Sequence, residues 1–305
     1  KENAIVIHLT LIPYLAAARE LKTKPTQHSV KKLMESGTSA DIIVCRTEHE
    51  LSTDLKEKLA LFCNVKPEAI IQSIDLDTIY DVPLMMLNEG LDKVVLGKLQ
   101  LAPKKHLDLE TWNIFLEKLK NPKHKLKIGL VGKYIELQDS YKSILESLIH
   151  AGASNEVEIE VVSIHSEYLE KRDVAKKLAG LNGLIVAPGF GERGIEGKIS
   201  AISYARANKL PFFGICLGMQ MAVIEYARNK IGLVNANSTE MQANCEEAVI
   251  DLMESQKSII KKGGTMRLGA WDCELKNFSK SAEAYQSKMI SERHRHRYEF
   301  NNEFH

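Results

Sequence analysis

The feature that most constrains this chain is an alternation that repeats four times in its second half. Short apolar runs at 127–131 (KIGLV), 157–164, 183–187 and 211–215 are each followed by a helical pattern, near 140–150, 167–178, 196–208 and 219–228. Strands separated by helices of that length pair in parallel, and a parallel sheet needs helices over both faces. A looser version of the same pattern fills the first half. Strand-like runs at 4–9, 41–45 and 69–74 alternate with helical stretches at 26–36, 52–62, 81–99 and 108–120. The helix after Pro25 takes Thr26 as its N-cap and stops at Gly37. Between the halves lies the polar stretch KNPKHK, 120–125. The expected class is α/β, with two doubly wound parallel-sheet domains at 1–119 and 127–305 and a linker at 120–126. A chain of 305 residues accommodates two such domains.

Composition narrows the partners. Lys plus Arg number 41 against 40 Asp plus Glu, which gives no electrostatic case for nucleic acid or an anionic membrane. The five cysteines are scattered, with no C-x-x-C pair, which argues against a disulfide framework or a zinc site and for a reducing, cytoplasmic setting. The longest apolar stretch, 4–18, is broken by His8, Thr10 and Pro13 and is too short to span a bilayer. The opening KENAIVIHL has no initiating Met and no signal peptide, and the end RYEFNNEFH has no stop signal. Both ends are expected to be cuts in a longer chain.

One corner stands out, FFGICLGMQM at 212–221. An apolar run leads into Cys216, glycines flank it at 214 and 218, and a helix follows. A thiol on such a strand-to-helix turn can be held out beside backbone N–H groups, and a helix N-terminus favours the thiolate. The corner equally suits a small buried residue ending a core strand. A second strand ends in APGFGERG, 187–194, whose glycines let backbone N–H groups approach a ligand. One N–H there and the N–H of Leu217 could receive an oxyanion, although an ordinary connecting loop has the same composition. No Walker A pattern occurs.

GICLGMQ (214–220), GFGERGIEGK (189–198), NANSTE (235–240), GGTMRLG (263–269) and ERHRHRYE (292–299) together resemble the glutaminase domain of the CTP synthase family, a class I glutamine amidotransferase domain of flavodoxin-like fold. HLTLIPYL (8–15), KTKPTQHSVK (22–31), DIIVCR (41–46) and ALFCNV (60–65) are similar to the second part of that family's synthetase domain. The resemblance implies amination of UTP to CTP. ATP phosphorylates the uracil 4-oxygen, and ammonia taken from glutamine displaces the phosphate. It makes Cys216 the nucleophile, and Gly189 and Leu217 the oxyanion-hole positions. Phe190, Gln220, Glu240 and Arg297 become the glutamine-binding residues. Lys22, Lys24, Gln27 and Lys58 match UTP- or CTP-binding positions, and Arg46, Ile74, Asp75 and Leu76 match positions near ATP. The resemblance also implies Mg²⁺, with ligands outside these residues, GTP as allosteric activator, CTP as feedback inhibitor and a homotetramer, filament formation being left open.

The pattern departs from the family at one place. Where relatives carry Pro-Gly-Gly-Phe-Gly, this chain has Ala187-Pro188-Gly189-Phe190-Gly191, and proline has no N–H to donate. Two parts of the chemistry are also expected outside the chain. They are a P-loop upstream and, downstream, the histidine and glutamate that complete the cysteine triad. These 305 residues alone are therefore expected to make no CTP. The histidines of Arg293-His294-Arg295-His296-Arg297 offer two metal ligands with no third. A catalytically incomplete nucleotide-binding and oligomerisation module is the alternative. A free-standing amidotransferase is disfavoured by KTKPTQ and DIIVCR, which it would not need.

Overall fold

A computed structural model describes residues 3–102, 107–169, 173–259 and 263–305. The chain divides into two compact units, Lys1–Glu117 and Lys118–His305. The α/β class expected from the sequence is what the structure shows.

The first unit is built on three parallel strands in the order β1 (Ile7–Ile12), β2 (Ile42–Thr47), β3 (Ile70–Ile74). Its helices are α1 (Lys24–Glu35), α2 (Thr53–Cys63), α3 (Val82–Asn88) and α4 (Leu91–Leu99), and α5 (Glu110–Lys120) runs across the division between the units. Successive residues of β2 point to opposite faces. Ile43 and Cys45 pack with Val30 of α1 and Leu59, Ala60 and Cys63 of α2. Ile42 and Val44 pack with Met86, Leu91, Val94 and Val95 of α3 and α4. Each fully buried Ile or Leu stabilises the unit by roughly 2 kcal/mol.

Three local expectations need correction. The N-cap of α1 is Thr23, with Pro25 in the first turn. Thr26 lies inside the helix, fully buried, and its hydroxyl is within hydrogen-bond distance of Leu11 O (3.1 Å) and Thr10 Oγ1 (3.2 Å), tying α1 to β1. The single helix expected over 81–99 is two, because Gly90 adopts φ +77° between α3 and α4. The strand expected over 4–9 is displaced to Ile7–Ile12.

The second unit carries four parallel strands in the order β5 (Val157–His165), β4 (His124–Gly132), β6 (Gly183–Val186), β7 (Phe212–Gly214). Strand β4 begins at His124 rather than 127. Its lysines alternate with apolar residues, and Lys125 and Lys127 pair across the strands with Glu158 (2.6 Å) and Glu160 (3.0 Å). Helix α6 (Lys142–Ser154) covers one face through Ile144 and Leu145 against Leu130. Helices α7 (Val174–Leu178), α8 (Ile195–Ala207) and α9 (Leu217–Tyr226) share a core with Val131, Leu184 and Val186. The helix expected over 167–178 is a turn at Ser166–Leu169 followed by α7, and 170–172 lie outside the described residues. A smaller sheet, β8 (Asn237–Ser238), β9 (Ala248–Leu252) and β12 (Tyr298–Phe300), joins the same core through Val249 and Ile250. A two-stranded ribbon is made by β10 (Arg267–Glu274) and β11 (Met289–His296).

Helices α8 and α9 are locked by a buried charge. Glu225, 1% exposed, accepts a forked pair from Arg206 (2.7 and 2.9 Å) and a bond from Asn229 (3.0 Å). Burial pushes the Glu225 carboxyl up, but these hydrogen bonds outweigh it and hold it below the ordinary carboxylate range. Because its folded pKa is depressed, the carboxylate stabilises the fold above its unfolded pKa, and that contribution is lost as pH falls through the folded value. Glu225→Gln is expected to lower unfolding stability by about 2 kcal/mol at neutral pH. The difference should close only as pH falls below the ordinary carboxylate range in urea titrations, and a gap independent of pH would contradict the assignment.

Candidate active site

The corner at Cys216 is built by close approach of backbones. Ile215 N donates to Val186 O (3.0 Å), which keeps β7 paired with β6 up to the turn. Cys216 then takes φ +55° and ψ −110°, a strained conformation for a residue with a Cβ. Met219 N and Gln220 N donate to its carbonyl (3.0 and 3.2 Å), so α9 starts immediately. Only glycine fits on either side. A Cβ on Gly218 would lie 2.1 Å from Val186 O, and one on Gly214 would lie 2.6 Å from Gly218 C. Cys45 and Cys63, by contrast, are buried in the first core, and burial pushes the Cys45 thiol up to about 11.

Burial also raises the Cys216 thiol above its ordinary value. The N–H of Leu217 opposes that rise, the Glu240 charge adds to it, and the Lys198 charge and the N–H of Gly189 oppose it. One backbone N–H from each predicted loop thus favours the thiolate form of the same sulfur. The contributing N–H on the APGFGERG loop is that of Gly189, one residue past Pro188. Ala187 N donates to Val131 O (2.9 Å), and Ala187 O accepts from Lys198 Nζ (2.9 Å). Phe190 O and Gly191 O accept from Lys133 Nζ (2.6 and 3.2 Å), and Gly191 N donates to Glu240 Oε1 (2.9 Å). The loop is therefore pinned at 187, 190 and 191 while the Phe190 side chain stands half exposed.

Gln220 and Arg297 are both buried. Gln220 Nε2 donates to Tyr298 O (3.0 Å). The Tyr298 hydroxyl is pushed up by burial and by Glu240, with Arg297 opposing, so these charges sit around one phenol. The Arg297 guanidinium donates to Gln256 Oε1 (2.7 Å) and Thr265 Oγ1 (3.2 Å). His294 and His296 face each other, Nδ1 to Nδ1, at 3.2 Å. Among the described residues no hydrogen bond joins a histidine to the Cys216 sulfur, and no three His, Cys, Asp or Glu side chains are grouped to hold a metal.

In the first unit, Arg46 and Asp75 meet at the carboxyl ends of β2 and β3, Nε to Oδ1 3.0 Å, with both side chains half exposed. Ile74 closes β3 and Leu76 follows it, exposed. Gln27 Nε2 donates to Thr23 Oγ1 (3.2 Å), Lys24 opens α1, Lys22 pairs with Glu20, and Lys58 lies exposed on α2. No hydrogen bond or ion pair joins Lys58 to Lys22, Lys24 or Gln27 among the described residues.

Sequence reasoning gave no role to Lys133 or Lys198. The signal for Lys198 was present. It shares the buried stripe of α8 with Ile195, Ile199, Ile202 and Ala205, where an amphipathic helix places apolar residues.

Residues 1–101 match the family model described as CTP synthase N-terminus, and residues 136–305 match the one described as Glutamine amidotransferase class-I. A CTP synthase of Flavobacterium psychrophilum is 66% identical over 304 residues, covering 100% of this chain and 57% of that protein. A CTP synthase of Bacteroides fragilis is 52% identical over 303 residues, covering 99% of this chain and 57% of that protein. A solved structure described as the glutaminase domain of Trypanosoma brucei CTPS with bound acivicin matches with a TM-score of 0.55 at 38% identity, over 59% of this chain and 69% of that one. The chain thus spans 57% of the length of those two curated relatives.

Proposed function

From the premise that this chain belongs to the class-I glutamine amidotransferase family, in its CTP synthase branch, we propose that it carries the glutaminase half and part of the synthetase half of an enzyme converting UTP to CTP. The observation that carries the reading is Cys216 at positive φ on a strand-to-helix turn, with the N–H groups of Leu217 and Gly189 favouring its thiolate.

In the proposed reaction the Cys216 sulfur attacks the side-chain amide carbon of glutamine. The carbonyl oxygen becomes an oxyanion held by those two N–H groups, which pre-set donors stabilise without reorganisation. The C–N bond breaks, ammonia leaves, and water hydrolyses the thioester to glutamate. Glu240 faces the α-ammonium, Arg297 the α-carboxylate, and Gln220 and Phe190 complete the wall. The thiol proton needs an acceptor within hydrogen-bond reach. The family resemblance assigns that acceptor to a histidine and glutamate beyond residue 305.

In the first unit, Lys22, Lys24, Gln27 and Lys58 are proposed to bind the triphosphate of UTP, or of CTP as inhibitor. Arg46, Ile74, Asp75 and Leu76 are proposed to lie against ATP. Lysines suit phosphates as point charges, and the Arg46–Asp75 pair lies where parallel sheets bind ligands, at the strand carboxyl ends. Mg²⁺ and GTP belong to the same proposal. No grouping of described residues fits the metal, and no step here runs through it. A homotetramer and a cytoplasmic setting complete the proposal. No helix among the described residues is long and apolar enough to cross a membrane.

The test is covalent labelling of the full gene product by acivicin, the compound named with the trypanosomal structure. One adduct on the Cys216 peptide, prevented by excess glutamine, is expected, with CTP formed from UTP, ATP and glutamine before labelling and not after. Labelling confined to another cysteine, or CTP formation that survives the adduct, would overturn the reading.

A further inference from the structure

Lys198 is the largest fully buried side chain among the described residues, 0% exposed, and it lies beside the cysteine corner. Its Nζ has one hydrogen-bond acceptor among the described residues, Ala187 O at 2.9 Å. A Cβ placed on Gly189 would lie 3.6 Å from that Nζ and 3.5 Å from Leu217 Cδ2, so the lysine underlies the N–H-bearing loop itself. Among the described residues no carboxylate pairs with it. The charged or ionisable groups that it feels are Lys133, which is also cationic, and Cys216. Burying a cation without a counter-charge is costly, and such groups mark functional sites. Burial, with Lys133 adding to it, pushes the ammonium down, and the Cys216 thiolate, once formed, pulls it back up.

Resting on the reading of Cys216 as nucleophile, we propose that Lys198 is a positioning residue of the glutaminase site. Its ammonium is the buried counter-ion of the Cys216 thiolate. Through the Ala187 carbonyl it is also the anchor that turns the Gly189 N–H toward the sulfur. Lys133 fixes the far end of the same loop at Phe190 and Gly191. Glu240 opposes Lys198 by repelling the thiolate. Arg193 and Glu167 act on Lys133, and Tyr298 faces Glu240. The sulfur therefore sits between one favourable and one unfavourable charge, and glutamine binding over Glu240 leaves the lysine dominant.

The experiment compares the pH dependence of Cys216 alkylation by iodoacetamide, a neutral reagent that reports the thiolate, in the full gene product and in Lys198→Met and Lys198→Gln. Methionine removes both charge and tether, whereas glutamine keeps a donor for Ala187 O. Replacing an unpaired buried cation by an apolar chain does not by itself threaten a fold, and the glutamine variant carries the test if the methionine variant does not fold. The alkylation midpoint is expected to rise by about one pH unit in both variants, the shift one nearby opposite charge confers. The turnover number for glutamate release should fall while KM for glutamine stays. Glu240→Gln should move the midpoint the other way. An unchanged midpoint in a folded Lys198 variant would overturn the proposal. Absence of glutamate release by the unmodified protein would instead overturn the glutaminase reading, and the alkylation comparison would still decide the role of Lys198.

Discussion

Cys216→Ala in the full gene product is expected to lower glutamine-dependent CTP formation by about 10⁴-fold or more, the scale on which loss of a covalent nucleophile is felt. CTP formation supplied with ammonia should persist, because ammonia enters after the step that needs the sulfur. The pairing of the two outcomes is informative. Loss of both activities would mean that the corner holds the fold rather than the chemistry. Survival of the glutamine-dependent rate would remove Cys216 from the reaction. The assay is the appearance of CTP with each nitrogen source in turn, at fixed UTP and ATP.

Gly218→Ala is expected to be the most damaging single methyl group near the site. The added Cβ would lie 2.1 Å from Val186 O, and both atoms belong to backbone that cannot step aside, one in α9 and one in β6. Relief requires α9 to lift from the sheet, which strips contacts from Leu217 and Met221 and breaks the Ile215 N to Val186 O bond. Overpacking of this kind costs about 3 kcal/mol. For a unit of this size that is a fall of roughly 6–12 °C in Tm by calorimetry. Acivicin labelling of Cys216 should be lost with it, since the strained φ has no support once the helix moves. A variant with unchanged Tm and labelling would show that the elbow has more room than its atoms allow.

The strands and helices were legible because their signals are local. Continuous apolar runs such as KIGLV and helical stretches such as 196–208 are marked by neighbours close in the chain. The errors were local too, but they were settled by contacts distant in sequence. Thr26 has the composition of a cap, yet its hydroxyl is taken by Thr10 and Leu11 on β1, and Thr23 sits at the helix start instead. Lys125 lies in a stretch with the composition of a linker, yet Glu158 across the sheet makes it a strand residue. In both cases a partner more than ten residues away decided the outcome.

The sequence by itself determined that Cys216 lies between two glycines at the end of a strand, and that APGFGERG ends another, because glycine placement and apolar runs are written in order along the chain. The resemblance to the CTP synthase family was legible in the same way, from contiguous motifs. What only the tertiary structure decided is which groups share the sulfur's environment. Gly189, Leu217, Glu240 and Lys198 come from four segments: Gly189 and Leu217 follow the parallel strands β6 and β7, whose carboxyl ends lie together, Lys198 comes from α8, and Glu240 follows β8 of the smaller sheet. Lys198 shows the difference most directly. In the sequence it is one of many lysines. In the fold it is a buried cation without a carboxylate, because the helix that carries it packs against the sheet beside the cysteine.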